Sequence, residues 1–239
     1  MIRSEWLFAT YANGEPGGRG FNFGLKPARS DNYEMGIKAF LNNAMRANLA
    51  VFHIDTVDEI VVLTNSGGRA VFQNAGKTKR NGIELAFEGT WANGMGSVLS
   101  YSALEAVYAD SFCSGTCPPA TRVAAGNRLP GVPSQTLYAE LSWRYRPLGF
   151  STALEAKYSS KIYVNDVNSD TAPAYVVANL RTGFEQKWRA WRLQEFVRAD
   201  NIGDRAYAGS VIVNEANQRF FEPAPGRNFL VGVSAAYSW

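Results

Sequence analysis

From Asn228 to Trp239 the chain alternates strictly. Phe229, Val231, Val233, Ala235, Tyr237 and Trp239 interleave with Asn228, Leu230, Gly232, Ser234, Ala236 and Ser238. Successive side chains of a β-strand point to opposite faces, so a period of two writes two faces into one segment. The first face is apolar, with aromatics near both ends, and suits lipid. The second is small and mostly polar, and suits a wet lumen. A helix would spread the same residues over its whole surface.

The alternation recurs upstream. Tyr33, Met35, Ile37 and Ala39 alternate with Glu34, Gly36 and Lys38. Ile83, Leu85 and Phe87 alternate with Glu84, Ala86 and Glu88. Leu137, Ala139, Leu141, Trp143 and Tyr145 alternate with Tyr138, Glu140, Ser142 and Arg144. Thr152, Leu154, Ala156 and Tyr158, and then Ala178, Leu180, Thr182 and Phe184, repeat the pattern. This template predicts about ten strands, near 4–12, 31–41, 46–62, 80–91, 96–108, 134–146, 149–164, 174–187, 190–201 and 227–239. Short turns are expected at Asn42-Asn43-Ala44, Ala92-Asn93-Gly94, Arg146-Pro147-Leu148 and Lys187-Trp188-Arg189. Long connections rich in Gly, Pro, Asn, Asp and Ser fall at 13–30, 63–79, 109–133, 165–173 and 202–226.

Short turns on one rim and long loops on the other predict an all-β fold: an antiparallel, up-and-down transmembrane β-barrel. The short rim would be periplasmic and the long rim extracellular. Most of these strands run to ten residues or more. That matches the roughly 9–11 needed to cross a membrane at a tilt, not the mean of about 5–6 in soluble sheets. The rival is a soluble β-sandwich or barrel with the apolar face as its core. It would have to bury Trp143 and Tyr145 at a strand end, where a membrane interface accounts for them directly.

Composition agrees. No run of about 18 apolar residues exists, which excludes a transmembrane helix, while a membrane strand shows lipid only every second side chain. Net charge is +3 with acids and bases interleaved, so there is no nucleic-acid footprint. The start, MIRSEWLFATYANG, lacks the basic and apolar regions of a signal peptide. An exported protein beginning here is expected to be part of a longer precursor.

Catalytic chemistry finds no constellation, and the sequence points to no enzyme, cofactor or metal site. His53 is the single histidine and is expected to be a strand-face side chain. Glu84/Glu88 and Glu140/Glu155 are expected to be lumen charges balanced by Lys38, Lys157, Arg144 and Arg181. Gly14–Gly20 is no phosphate loop, since no Gly-Lys-Ser/Thr follows. Cys113 and Cys117, in FCSGTCPP, are expected to form a small disulfide at a loop tip in an oxidising compartment. Ligand contacts are expected from loop and upper-lumen residues: Tyr108, Arg122, Arg128, Tyr163, Arg205, Tyr207, Arg219 and Phe220. Arginine suits anionic chelates and aromatic faces suit flat ligands.

Five segments, in order, resemble the barrel of TonB-dependent outer-membrane receptors. Leu25–Lys38 resembles their "L-x-P-E … YElGlK" stretch, with Ala28 in place of the acid. Phe72–Glu84 resembles the "NaG … G-hydrophobic-E" entry to a strand. Leu129-Pro130-Gly131-Val132-Pro133 resembles "lPgvP". Asp200–Tyr207 resembles "dNLfD-x-x-Y". Gly226-Arg227-Asn228-Phe229 leads into a strand ending on an aromatic, as the family's last strand does. The resemblance spans nearly all of 1–239. It implies that this is the C-terminal portion of a barrel of roughly 22 strands, with the plug and the TonB-gripping box outside it. It also implies a ferric siderophore or similar metal chelate as default substrate, with cobalamin, haem and saccharides as other classes. Its partners would be outer-membrane lipid, the TonB complex through the plug, and the barrel-assembly machinery, which would read Trp239, Tyr237 and Phe229. The contrasting function is a small self-closed barrel acting as a pore or surface enzyme; a soluble carbohydrate-binding domain is the third.

Overall fold

The computed structural model describes residues 2–6, 24–114 and 121–238. Along the chain β1 (Ile2–Trp6), β2 (Ala28–Asn42) and β3 (Met45–Val57) precede a hairpin, β4 (Ile60–Ser66) and β5 (Arg69–Asn74). Next come β6 (Thr78–Thr90), β7 (Met95–Tyr108) and the two-residue strands β8 (Phe112–Cys113) and β9 (Arg122–Val123). β10 (Gln135–Tyr145) and β11 (Phe150–Ser159) are followed by short β12 (Ile162–Tyr163) and β13 (Thr171–Ala172). β14 (Tyr175–Trp188), β15 (Trp191–Asp200), β16 (Ala208–Val211), β17 (Phe221–Pro223) and β18 (Asn228–Tyr237) complete the order.

Ten strands form one sheet in the order β1-β2-β3-β6-β7-β10-β11-β14-β15-β18, with β1 and β18 at its two ends. Every neighbouring pair is antiparallel. Each long strand therefore lies beside the one before it, an up-and-down meander. The four other strand pairs are hairpins within the long connections.

The structure adjusts several expected boundaries. The expected strand 46–62 is two strands: β3 stops at Val57, and Asp58 turns the chain with φ 56°, a left-handed geometry that Asp tolerates. The expected 149–164 likewise stops at Ser159 and resumes at Ile162. β14 runs through Trp188, so the last short turn is Arg189-Ala190, with Arg189 at φ 53°. Residues 7–12 of the first expected strand lie outside the described residues.

Register carries the alternation from strand to strand. On one face Leu141 opposes Leu154, Leu154 opposes Leu180, Leu180 opposes Ala199, and Ala199 opposes Phe229. On the other, Glu140 opposes Glu155, Glu155 opposes Asn179, and Arg181 opposes Arg198. The apolar face is bare: Met35 is 75% exposed, Ile37 67%, Val231 68% and Val233 72%. A continuous apolar surface of this kind is foreign to soluble monomers. At the short-turn rim it ends in touching aromatics: Trp143 on Phe150 (6.0 Å), Phe150 on Phe184 (5.2 Å) and Trp191 on Tyr237 (5.1 Å).

Among the described residues the buried apolar cluster is Ala75, Ala106, Tyr108, Val123 and Leu129. It sits at the long-loop rim, where β5, β7 and β9 and the adjoining connections meet, not beneath the sheet. The soluble alternative needs a core under the apolar face, and the described residues supply none there.

Candidate functional site at the long-loop rim

Four long connections are tied together above the sheet, and Asp166 is the knot. Its side chain is 2% exposed. The Tyr108 hydroxyl, at the end of β7, donates to its Oδ1 at 2.7 Å. The Asn214 amide donates to its Oδ2 at 2.9 Å and also reaches the Val62 carbonyl on β4. Asn127 donates to the Asp166 main-chain oxygen at 2.9 Å. Two residues on, Asn168 accepts from the Arg128 amide (2.7 Å) and donates to the Arg128 carbonyl (2.8 Å). Connections 58–77, 109–134, 160–174 and 201–227 thus share one hydrogen-bonded roof. Asn168 and Asn214 stand at φ 57° and 53°, which asparagine accepts more readily than most residues.

Burial pushes the Asp166 carboxyl up from the ordinary carboxylate range, against the pull of Tyr108 and Asn214. A group that holds its proton more tightly in the closed roof stabilises that roof fully below its unfolded pKa, and the contribution is lost as pH rises through the folded pKa. Amide-exchange protection of 160–174 and 201–227, corrected for intrinsic rates, should therefore fall as pH rises above about pH 4, the ordinary carboxylate range. In Asp166→Asn the same profile should be flat. Equal pH dependence in both proteins would refute the assignment.

The expected ligand residues divide into groups. Tyr108 is in the roof's core, 1% exposed, with its hydroxyl engaged. Arg128 joins the roof through its backbone. Phe220 is 8% exposed and lies against Phe221. Arg219 is exposed, and its amide donates to Glu215 at 2.9 Å. This bond, with that of the Asn217 amide, holds the Glu215 carboxyl below its ordinary range. Arg122 is exposed on β9, opposite Cys113. Tyr163, on β12, lies under Lys161 Nζ at 5.0 Å.

Arg205 and Tyr207 are brought together. They line one cavity of about 490 Å³ with Pro173, Ala174, Phe221 and Pro223. Tyr207 stacks on Tyr175 at 4.2 Å between ring centroids. Tyr175 shares the polar face with Ser159, its register partner. The pocket therefore lies near where the polar face meets the loops, with the Tyr207 ring and the exposed Arg205 in its wall. Asn201 builds it locally: at φ 50° its side chain accepts from the Arg205 amide (2.8 Å) and donates to the Arg205 carbonyl (2.9 Å). Cys113 is disulfide-bonded. Cys117 and Trp239 lie outside the described residues.

Below the rim the polar face carries a chain of ion pairs. Arg198 donates to both Glu155 oxygens, at 3.0 and 2.9 Å, and to Asp200 at 2.8 Å. Arg181 and the Tyr138 hydroxyl both donate to Glu140, at 3.2 and 3.0 Å. Glu88 pairs with Arg46 at 2.7 Å. Of the balancing cations expected from the sequence, Arg181 is in place. Glu155 and Glu88 are instead held by Arg198 and Arg46, because register sets these beside the acids. His53 lies on the other face, between Asn81 (2.6 Å) and Asp55 (2.9 Å).

Comparison with known proteins gives the same architecture. Residues 5–202 match the family described as TonB dependent receptor-like, beta-barrel. Among solved structures, the ferric preacinetobactin receptor BauA from Acinetobacter baumannii superposes with a TM-score of 0.67 at 15% identity, over 98% of this chain and 32% of that one. The siderophore receptor PiuA from the same organism gives 0.67 at 22% identity, over 87% and 28%. The ferric yersiniabactin uptake receptor FyuA from Yersinia pestis gives 0.65 at 21%, over 88% and 30%. The chain thus spans about a third of the length of these receptors. With the family matched over most of its length, this chain belongs to the TonB-dependent receptor β-barrels.

Proposed function

We propose that this chain is part of the barrel wall of an outer-membrane receptor that takes up a ferric siderophore in a TonB-dependent way. The observation that carries the reading is the two-faced sheet. One face is bare and apolar, the other charged, and an assembled loop roof with an aromatic pocket stands on a single rim. A lipid bilayer covers the first face, and a plugged, wet lumen suits the second. The receptor is a transporter and performs no covalent chemistry on its cargo. Solved relatives named for ferric siderophore uptake support the substrate class. The plug and its TonB contact belong to the longer receptor, and the barrel-assembly machinery would engage the last strand.

Two ends of the sheet order, β1 and β18, bear on the rival of a small self-closed barrel. A self-closed barrel joins its first and last strands, whereas a section of a larger barrel leaves both for strands supplied by the rest of the receptor.

The test uses the full-length receptor. Growth of a receptor-deleted strain on a panel of ferric chelates should identify at least one rescued by the intact gene. For that chelate, Arg205→Ala and Tyr207→Ala should each weaken binding roughly tenfold, about 1–2 kcal/mol, by removal of one cation or one aromatic face. Rescue by no iron source removes the siderophore reading; rescue with unchanged affinity in both variants removes this pocket from it.

A further inference from the structure

Three polar side chains are buried in a line that runs from the polar face of the sheet to the pocket. They are Glu155 on β11 (5% exposed), Asn179 on β14 (6%) and Asn201, just beyond β15 (4%). Register makes Glu155 and Asn179 direct neighbours. The Asn179 amide nitrogen donates to Glu155 Oε2 at 3.3 Å. The Asn179 amide oxygen accepts from the Asn201 main-chain N–H at 2.9 Å. From there the Asn201 side chain grips two segments of the pocket loop. It accepts from the Arg205 amide (2.8 Å) and donates to the carbonyls of Arg205 (2.9 Å) and Pro225 (3.3 Å).

A side-chain amide has one end that accepts and one that donates. The acid decides which end faces Asn201. A carboxylate only accepts, so the NH2 end of Asn179 turns to Glu155 and the oxygen end is left for Asn201. Arg198 holds the carboxylate in place, donating to its two oxygens at 3.0 and 2.9 Å. The same guanidinium donates to Asp200 at 2.8 Å, the residue before Asn201, so it also fixes the end of β15. Burying a carboxylate is costly unless it is paired and hydrogen-bonded. Here the buried charge sets the direction of every bond between the sheet and the pocket.

We propose that Glu155 and Asn179 are positioning residues for the Arg205–Tyr207 pocket, acting through Asn201. Neither lines the pocket itself. This role rests on the reading of that pocket as the ligand site. A site carried on a loop holds its geometry only when residues behind it are fixed by packing and hydrogen bonds, and the rigid sheet supplies that support here.

The experiment reverses the polarity of the line and reads the pocket by amide exchange, in full-length receptor in outer-membrane vesicles without ligand. Glu155→Gln keeps the shape. Arg198 takes the new oxygen, so the new NH2 faces Asn179, whose amide must turn over and set donor against donor at Asn201. Adding Asn179→Asp restores an acceptor on both sides and returns the lost charge. Exchange of 203–208 should speed up roughly tenfold or more in Glu155→Gln and in Asn179→Leu, and return to within about twofold of wild type in Glu155→Gln/Asn179→Asp. Exchange of β10 should be the same in all four proteins. Unchanged exchange of 203–208 in either single variant, or no recovery in the double variant, overturns the role. Equal acceleration in β10 also overturns it, since that marks general loosening of the sheet. These outcomes involve no ligand and leave the uptake reading standing. Failure of growth rescue removes that reading and leaves the exchange result as it is.

Discussion

Asp166→Ala should open the loop roof and leave the ten-strand sheet paired. The substitution removes the acceptors of the Tyr108 hydroxyl and the Asn214 amide. Tyr108 is 1% exposed, so its hydroxyl has no water to turn to. A buried polar group left without a partner costs roughly 1–3 kcal/mol, and two at one point exceed the local stability expected of a loop assembly. The Asn127 bond to the Asp166 main chain survives, so the segment loosens without detaching. Limited proteolysis of the full-length receptor should show new cuts within 160–174 and 201–227, with none in β10, β11 or β14. Because the Arg205–Tyr207 pocket is built on 201–227, ligand affinity should fall as well, through the entropy of re-ordering its walls. Unchanged cutting would show that the roof stands without its knot.

The sheet was legible because its signal is repeated. Six strands of the sheet, β2, β6, β10, β11, β14 and β18, carry a plain period-two pattern, and one pattern supports the next through register. Strand ends were less legible. Asp58 and Arg189 break strands by adopting positive φ, and nothing in the local sequence separates them from the many Asp and Arg residues that do not. The roof was not legible at all. Asp166, Asn168 and Asn214 look like ordinary loop residues, and their importance comes from contacts with Tyr108, Arg128 and Val62 far along the chain. Tyr108 was singled out as a ligand residue for its aromatic face, yet tertiary packing turns that face inward. Arg205 and Tyr207 fared differently: the turn set by Asn201, inside the family-like stretch Asp200–Tyr207, holds both at the pocket. The partner of Glu155 likewise needed register, since Arg198 is 43 residues away in sequence.

Gly149→Val should disrupt assembly more severely than any loop substitution of the same kind. Gly149 closes the short turn between β10 and β11 with φ 63°, and its amide donates to the Arg146 carbonyl at 3.0 Å. Its own carbonyl accepts from the Glu185 amide at 2.8 Å, which joins the turn to β14. A Cβ added there would lie 1.9 Å from the Glu185 carbonyl oxygen. Backbone cannot swing aside as a side chain does, so the bond to β14 breaks, and the left-handed geometry adds strain of its own. Together these cost about 3 kcal/mol or more, at a point where three strands share one rim. Gly67 provides the contrast. It too has positive φ, 56°, but nothing lies within 4 Å of an added Cβ, so Gly67→Val should cost only the backbone strain, roughly 1–2 kcal/mol. The measurement is the fraction of full-length receptor reaching a heat-modifiable, folded form in the outer membrane. That fraction should collapse for Gly149→Val and stay close to wild type for Gly67→Val. Equal yields for the two would mean that the short rim tolerates separation of β11 from β14, against the register seen here.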